Sequence, residues 1–132
     1  MIELPVRSSA REQMIDVTSL VQKAVAQSEF SNGLILCFVP HTTAAITLNE
    51  NSDPDVKRDI LHKLNREFPQ DDGYLHGEGN SDAHLKSSLI GCSLLVPFED
   101  RKLVLGTWQG ICFCEFDGPR NRTLLVKVCP VA

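Results

Sequence analysis

The sequence Thr-Trp-Gln-Gly-Ile-Cys-Phe-Cys-Glu-Phe, residues 107–116, indicates the fold class more clearly than any other stretch. It is rich in apolar and aromatic residues, a composition that favours β-structure. A second apolar-rich run, residues 122–129, follows the turn signal Gly118-Pro119. We expect these two runs to be strands that pair as a hairpin.

Six further segments are predicted to be strands, because each is apolar-rich or extended and turn residues bound most of them. They are Ile2–Val6, Met14–Val17, Leu34–Val39, Ala44–Leu48, Cys92–Val96 and about Lys102–Leu105. Pro5 favours an edge position for the first strand, since proline cannot donate a ladder hydrogen bond. The run 34–39 is apolar without a break, so we expect it to be covered on both faces and to deliver His41 at its rim.

Three segments are predicted to be helices. Residues 19–28 carry an apolar stripe, and a longer helix begins at Pro54, is capped by Asp53 and stops at Pro69. A short helix covers residues 83–90 and ends at Gly91. The sequence therefore predicts one compact α+β domain over residues 1–132, with a mainly antiparallel sheet and two to three helices.

Composition narrows the class of partner. The 132 residues are 42% hydrophobic and 23% charged, which is typical of a globular protein, and the net charge of -4 disfavours a broad basic surface for nucleic acid. No stretch could span a membrane. The five cysteines lie mostly in apolar runs without a Cys-x-x-Cys pair, so we expect inert reduced thiols and a cytoplasmic location.

Residues 73–86 are predicted to be a binding loop, because they hold two histidines, two carboxylates and three glycines. Three histidines lie near element ends: His41, His76 and His84. Three histidines with one open coordination position are a known zinc arrangement. The alternative is that the three are separate loop histidines that make ordinary hydrogen bonds. His62 is assigned to the solvent-exposed face of its helix.

Several charged residues have two possible roles. Glu50, Glu78 and Asp82 could orient a histidine, accept a proton or complete a metal shell, while Asp82 could instead cap a helix. Arg120 and Arg122 could bind phosphate, with Lys86 as a further charge, or could pair internally with Glu115 and Asp117. Trp108 is expected to pack in the core.

Several blocks of the sequence together resemble the YjbQ family, also called the secondary thiamine-phosphate synthase family. The blocks are His41-Thr42-Thr43-Ala44-Ala45 with Asn49-Glu50, Tyr74-x-His76, Gly79-Asn80-x-Asp82-Ala83-His84-Leu85-Lys86, Pro97, Leu105-Gly106-Thr107-Trp108-Gln109 and Glu115-x-Asp117-Gly118-Pro119-Arg120-x-Arg122. The resemblance implies a compact α+β homotrimer with a site near its subunit boundaries. It also implies a divalent metal, zinc, held by His41, His76 and His84.

The resemblance implies a transferase that joins hydroxymethylpyrimidine pyrophosphate to thiazole phosphate and releases pyrophosphate, as a main or a secondary activity. Lys86, Arg120 and Arg122 would bind the phosphorylated metabolite, Glu50 or Glu115 would handle protons, and magnesium could accompany the pyrophosphate. Two alternatives stay open. One is a metal-dependent hydrolase of an ester or phosphoester, and the other is a non-enzymatic trimer that binds a phosphorylated metabolite.

Overall fold

The computed structural model describes residues 1–131 and contains eight strands and three helices in that range. The strands are β1 Ile2–Arg7, β2 Gln13–Asp16, β3 Gly33–Phe38, β4 Ala44–Glu50, β5 Ser93–Glu99, β6 Lys102–Leu103, β7 Gln109–Glu115 and β8 Asn121–Pro130. The helices are α1 Thr18–Ala26, α2 Pro54–Glu67 and α3 Ser81–Ile90. The predicted α+β fold is confirmed. The predicted domain ends at residue 132, which lies outside the described range.

Two antiparallel sheets form the β-structure. The larger sheet has the order β1-β8-β3-β5-β6 and the smaller has the order β2-β7-β4. β1 lies at an edge of the larger sheet, as Pro5 predicts, because a missing N–H costs no ladder bond there. Within residues 1–131, no helix is long and apolar enough to cross a membrane.

The main core lies between the two sheets, with α1 closing one side. Ile35 and Val126 of the larger sheet and Ile111 and Phe113 of the smaller one are almost completely buried there. Each such side chain contributes about 1.5–3 kcal/mol through removal of apolar surface from water. The packed sheets thus supply a rigid base for the loops at their ends.

A second apolar layer covers the other face of the smaller sheet. Cys112 and Cys114 of β7 point into it, and apolar residues of α2 and α3 pack against them. β7 is therefore buried on both faces, which explains its nearly continuous apolar sequence. Burial raises the pKa of the Cys114 thiol to about 12, in agreement with the predicted inert packing of this residue.

The predicted hairpin between the last two long strands is wrong. β7 lies between β2 and β4, and β8 lies between β1 and β3, so both edges of each strand are already paired. The connection between them crosses from one sheet to the other. Gly118 allows this crossing because a Cβ atom there would lie 2.6 Å from the Ser8 hydroxyl oxygen, and its N–H donates to the Arg11 carbonyl at 2.9 Å.

Two further burial predictions are wrong within one chain. β3 is covered on its inner face only, since Leu34 and Leu36 are half-buried and Phe38 is exposed. The outer face of the larger sheet has no layer packed on it from residues 1–131. Trp108 is 63% exposed and lies just before the first residue of β7, so it does not pack in the core.

The helix predictions are confirmed with small shifts at their ends. α2 begins at Pro54 after Asp53, whose carboxylate accepts a hydrogen bond from the Asp55 N–H at 2.9 Å. α3 begins two residues before the predicted start and ends at Gly91, which has a φ of 98°. α3 packs on β4 and carries His84 in its first turn.

Candidate functional site

A cavity of about 710 Å³ lies at the end of the β-sandwich where β3 ends and β8 begins. We call it the polar groove. Four chain segments line it: the β3–β4 connection, the loop before α3 with α3 itself, the start of β5, and the β7–β8 connection. The lining residues are Phe38, Val39, Pro40, His41, Thr42, Thr43, Glu78, Asn80, His84, Cys92, Asp117, Arg120 and Arg122.

His41 reaches the polar groove just beyond the end of β3, as the apolar strand before it predicts. Its Nε2 atom accepts a hydrogen bond from the Thr123 N–H at 3.0 Å, so a neutral ring carries its proton on Nδ1. Burial, with the nearby positive charge of Arg122, lowers the pKa of His41. His41 is therefore a neutral hydrogen-bond donor at pH 7.

Glu115 and Arg122 form a buried ion pair at the floor of the groove. Arg122 Nε donates to both Glu115 carboxylate oxygens at 2.9 and 3.2 Å, and Nη2 donates to the Thr43 hydroxyl at 2.8 Å. Glu115 also accepts from the Ser8 hydroxyl at 2.7 Å and from the Asp117 N–H at 3.1 Å. Arg122 and Glu115 therefore pair internally, which is one of the two predicted roles; phosphate binding by Arg122 stays a prediction.

Burial raises the pKa of Glu115, but the hydrogen bonds from Arg122 and Ser8 outweigh it, so the pKa lies below its usual value. A carboxylate with a lowered pKa and its oxygens already occupied is a poor proton acceptor. The predicted proton-handling role of Glu115 stays a prediction, and in this arrangement its oxygens are occupied by Arg122 and Ser8. The side chain holds Arg122 in place.

Arg120 takes part in a second, more exposed network. It donates from Nε to the Asp117 carbonyl at 2.8 Å, and its Nη2 lies 3.1 Å from Asp117 Oδ2. Asn80 donates to the same carboxylate oxygen at 2.9 Å. Among residues 1–131, the bonds of Arg120 and of Arg122 use Nε and Nη2. Nη1 of each guanidinium makes no hydrogen bond or ion pair in that range.

His76 and His84 stand edge-on to each other, with ring centroids 5.6 Å apart. His76 Nε2 lies 3.1 Å from Asn80 Oδ1. Because the amide nitrogen of Asn80 already donates to Asp117, Oδ1 is the acceptor and Nε2 of His76 carries the proton. The lone pair of His76 is therefore on Nδ1.

Lys86 does not line the polar groove. Its ammonium group is fully buried, donates to Asn65 Oδ1 at 2.6 Å and to Asp82 Oδ2 at 2.9 Å, and lies 3.5 Å from Glu12. Within a single chain the charge of Lys86 is paired with Asp82 inside the protein, and its predicted phosphate-binding role stays a prediction. The position falls on the inner face of α3, one turn beyond Asp82.

Asp82 is the centre of this buried cluster. Arg11 donates to its two oxygens at 3.0 and 3.2 Å, in addition to the bond from Lys86. Burial raises the pKa of Asp82, but these hydrogen bonds lower it by more. Asp82 therefore neither caps α3 nor faces the groove; it anchors the helix that carries His84.

Glu50 lies at the wrong end of its strand for a role in the polar groove. It is the last residue of β4, about 20 Å along the strand from Ala44, which follows the groove residue Thr43. Its neighbour across the sheet is Gln109. Within one protomer Glu50 is therefore distant from the polar groove, and its predicted catalytic role stays a prediction.

Two groove neighbours carried no distinct signal in the sequence. Ser87 is 7% exposed, its hydroxyl oxygen has no hydrogen-bond partner among residues 1–131, and it lines a cavity of about 320 Å³ beside His41 and His84. The exposed Cys92 lines the same cavity and the polar groove. A serine in a short helix and a cysteine before a strand are too common to indicate a site.

Residues 2–131 match the family model described as UPF0047 protein YjbQ-like. The chain belongs to the YjbQ family. The resemblance read from the signature blocks is thereby confirmed, and those blocks include most residues of the polar groove.

Relatives in the YjbQ family cover nearly the whole chain. A UPF0047 protein of Methanocaldococcus jannaschii is 49% identical over 93% of this chain and 89% of its own length. The UPF0047 protein YugU of Bacillus subtilis is 47% identical over 95% of this chain and 96% of its own length. A crystal structure of a YjbQ/UPF0047 family protein from Clostridium acetobutylicum superposes with a TM-score of 0.96 at 54% identity. It covers 98% of this chain and 100% of its own.

The zinc site implied by the YjbQ resemblance is only partly matched within one chain. Of the three histidines of that site, His76 and His84 lie next to each other, with ring centroids 5.6 Å apart. His41 does not suit the site, because its Nε2 lone pair is taken by Thr123. Among residues 1–131, no group of three or more His, Cys, Asp or Glu side chains is arranged to hold a metal.

The buried ion pair predicts a pH-dependent effect of Glu115→Gln. Removing the carboxylate leaves Arg122 buried without its partner, so we expect the free energy of unfolding at pH 7 to fall by about 3–5 kcal/mol. Because the folded pKa lies below the unfolded one, the carboxylate's contribution is present above pH about 4.5 and is lost as the pH falls through the folded value. Urea unfolding at fixed protein concentration from pH 7 to pH 3.5 measures this.

Glu29→Gln is the matched control, because Glu29 is exposed. It should change the unfolding free energy little at any of these pH values. If the difference in unfolding free energy between wild type and Glu115→Gln stays constant from pH 7 to pH 3.5, the lowered pKa of Glu115 in the ion pair is contradicted.

Proposed function

We propose that this YjbQ family chain is a transferase of the thiamine-phosphate synthase type, in which Arg120 and Arg122 bind phosphate groups in the polar groove. One observation carries the proposal: two guanidinium groups, each fixed by a carboxylate, leave Nη1 for a ligand at one wall. Guanidinium nitrogens are strong donors to phosphate oxygens. A groove of about 710 Å³ also has the size of a small-molecule site.

In the proposed reaction, the thiazole nitrogen bonds to the exocyclic carbon of the pyrimidine. The bond from that carbon to the pyrophosphate oxygen breaks, and pyrophosphate leaves with the electron pair. Positive charge held at the leaving oxygens lowers the barrier, because negative charge develops there. The neutral thiazole nitrogen becomes quaternary without losing a proton, so the step requires no general base and is compatible with a Glu115 locked by Arg122.

Neutral His41 and the hydroxyl of Thr42 would add uncharged hydrogen bonds beside the two arginines. The carboxylates of Asp117 and Glu115 are neutralised by the arginines that they orient. Glu78 has no arginine or lysine partner among residues 1–131, and its carboxylate lies 3.6 Å from His76 Nε2. A divalent cation that accompanies the pyrophosphate would offset this charge. A cytoplasmic location suits such a metabolite.

Arg120→Gln should reduce kcat/KM for thiamine phosphate formation by about 10- to 100-fold, the value of one charge-assisted hydrogen bond of about 1.5–3 kcal/mol. Purified protein is assayed with hydroxymethylpyrimidine pyrophosphate and thiazole phosphate. Arg58→Gln is the matched control, since Arg58 is a surface residue of α2. No product from wild type would reject the transferase, and equal rates for wild type and Arg120→Gln would reject the role of Arg120 in it.

A non-enzymatic binder of a phosphorylated metabolite is the second candidate. It shares the phosphate-binding arginines of the polar groove with the transferase and requires no reaction there. Thermal stabilisation by thiazole phosphate without product formation would support it, because a ligand that binds the folded state raises apparent stability.

We further infer that zinc, if taken up, is bound by His76 and His84. After incubation with zinc and dialysis, wild type should retain metal in elemental analysis, and His84→Ala should retain much less. His62→Ala is the control, because His62 lies on the exposed face of α2. Absence of retained zinc in wild type, or equal retention by His84→Ala, would reject the site.

We also propose that the chain assembles as a homotrimer through the outer face of the larger sheet. Leu36 of β3 pairs with Leu95 of β5. Phe38, two residues further along β3, pairs with Leu125 of β8. Leu95 is 58% exposed in the single chain, and an apolar cavity of about 170 Å³ includes Leu36, Phe38 and Leu125. Contiguous exposed apolar surface of this kind is typical of subunit interfaces. Phe38 also lines the polar groove, so the interface would adjoin the site.

Light scattering should give three times the mass of one chain for wild type, and a lower mass for Leu36→Lys, because a charge at the centre of the face would be desolvated without a partner. Leu89→Lys on the exposed side of α3 is the matched control and should keep the wild-type mass. A monomeric wild type would contradict the trimer.

A further inference from the structure

A second cavity, of about 510 Å³, lies on the other side of His84 from the polar groove. We call it the apolar cavity. Its lining is drawn from the loop before α3 and from the exposed side of α3. The lining residues are Tyr74, Leu75, His76, Ser81, His84, Leu85 and Ser88.

The apolar cavity differs from the polar groove in chemistry. Tyr74, Leu75 and Leu85 are among its lining residues, and no Lys, Arg, Asp or Glu lines it. Leu75 is fully exposed and Leu85 is 40% exposed, so the cavity leaves apolar surface in contact with solvent. Exposed apolar surface next to a charged groove indicates a ligand that has both kinds of surface.

The walls of the apolar cavity are held by hydrogen bonds. The Tyr74 hydroxyl donates to the Pro69 carbonyl at 2.7 Å, and Gln70 donates to the Gly79 carbonyl at 3.0 Å, which ties the loop together across nine residues. His76 is held by Asn80, and Asn80 in turn is bonded to Asp117 of the polar groove. One hydrogen-bonded chain of side chains therefore connects the two cavities.

We propose that the two cavities form one site for a small molecule that carries a phosphate at one end and a flat aromatic ring at the other. The phosphate would bind Arg120 and Arg122 in the polar groove, and the ring would pack on Leu85 and Tyr74 in the apolar cavity. His84 lines both cavities, so a ligand that lies across the His84 imidazole contacts the polar groove and the apolar cavity at once. This inference rests on the proposed phosphate binding in the groove, and it assigns the ring to the apolar cavity.

The assignment accounts for the position of Leu85 and Leu89 on α3. Both are exposed leucines one helical turn apart, and of the two, Leu85 lines the apolar cavity. They therefore provide a matched pair in which the same substitution removes apolar surface inside or outside the proposed site. Both are on the solvent side of the helix, so neither change should unfold the protein.

The test compares the binding of phenyl phosphate and inorganic phosphate by isothermal titration calorimetry. Wild type should bind phenyl phosphate about tenfold more tightly or better, because the ring buries apolar surface. Leu85→Asn should lose most of that preference and keep its affinity for inorganic phosphate. Leu89→Asn should match wild type with both ligands, and Arg120→Gln should weaken both. Thermal unfolding checks that each variant is folded.

The outcomes separate this inference from the proposed function. If wild type binds both ligands equally, or if Leu85→Asn keeps the preference for phenyl phosphate, the assignment of the ring to the apolar cavity is overturned, while phosphate binding in the polar groove stands. If neither ligand binds, phosphate binding and the two-cavity site are overturned together. Loss of the ring preference in Leu85→Asn alone supports the inference.

Discussion

The buried ion pair between Glu115 and Arg122 is the interaction on which the groove depends. Glu115 ends the central strand of one sheet, and Arg122 begins a central strand of the other, so the pair joins the two sheets at their common end. Two charges removed from water are costly unless every polar atom finds a partner. Ser8, Thr43 and the Asp117 N–H supply those partners, and each comes from a different part of the chain.

This requirement shapes the rest of the groove. Because Arg122 is fixed, the next residue, Thr123, presents its N–H to His41 and sets the proton position on that ring. The turn before Arg122 carries Arg120, whose contact with Asp117 leads through Asn80 to His76. The histidines and arginines of the site are thus positioned by one connected set of hydrogen bonds. A second buried cluster, of Asp82, Lys86 and Arg11, fixes α3 and therefore His84.

The groove that results is rich in hydrogen-bond donors and poor in available bases. Its carboxylates orient arginines, and its best-defined histidine is neutral with a lowered pKa. The proposed binding of oxyanions and the proposed departure of a charged leaving group depend on these donors and not on proton abstraction. The adjoining apolar cavity and the uncovered face of the larger sheet add apolar surfaces on two sides of it.

The sequence by itself determined where most helices and strands lie, because turn residues and local apolar patterns mark them, and it placed His41 at a strand end and Arg120 and Arg122 together. The tertiary structure decided which sheet each strand joins and which charges are buried. Those outcomes depend on partners far apart in the chain, as in the bonds of Ser8 to Glu115 and of Arg11 to Asp82. A local pattern cannot show that Lys86 faces inward to a carboxylate or that both edges of β7 are already paired, because each requires the positions of segments that fold against it.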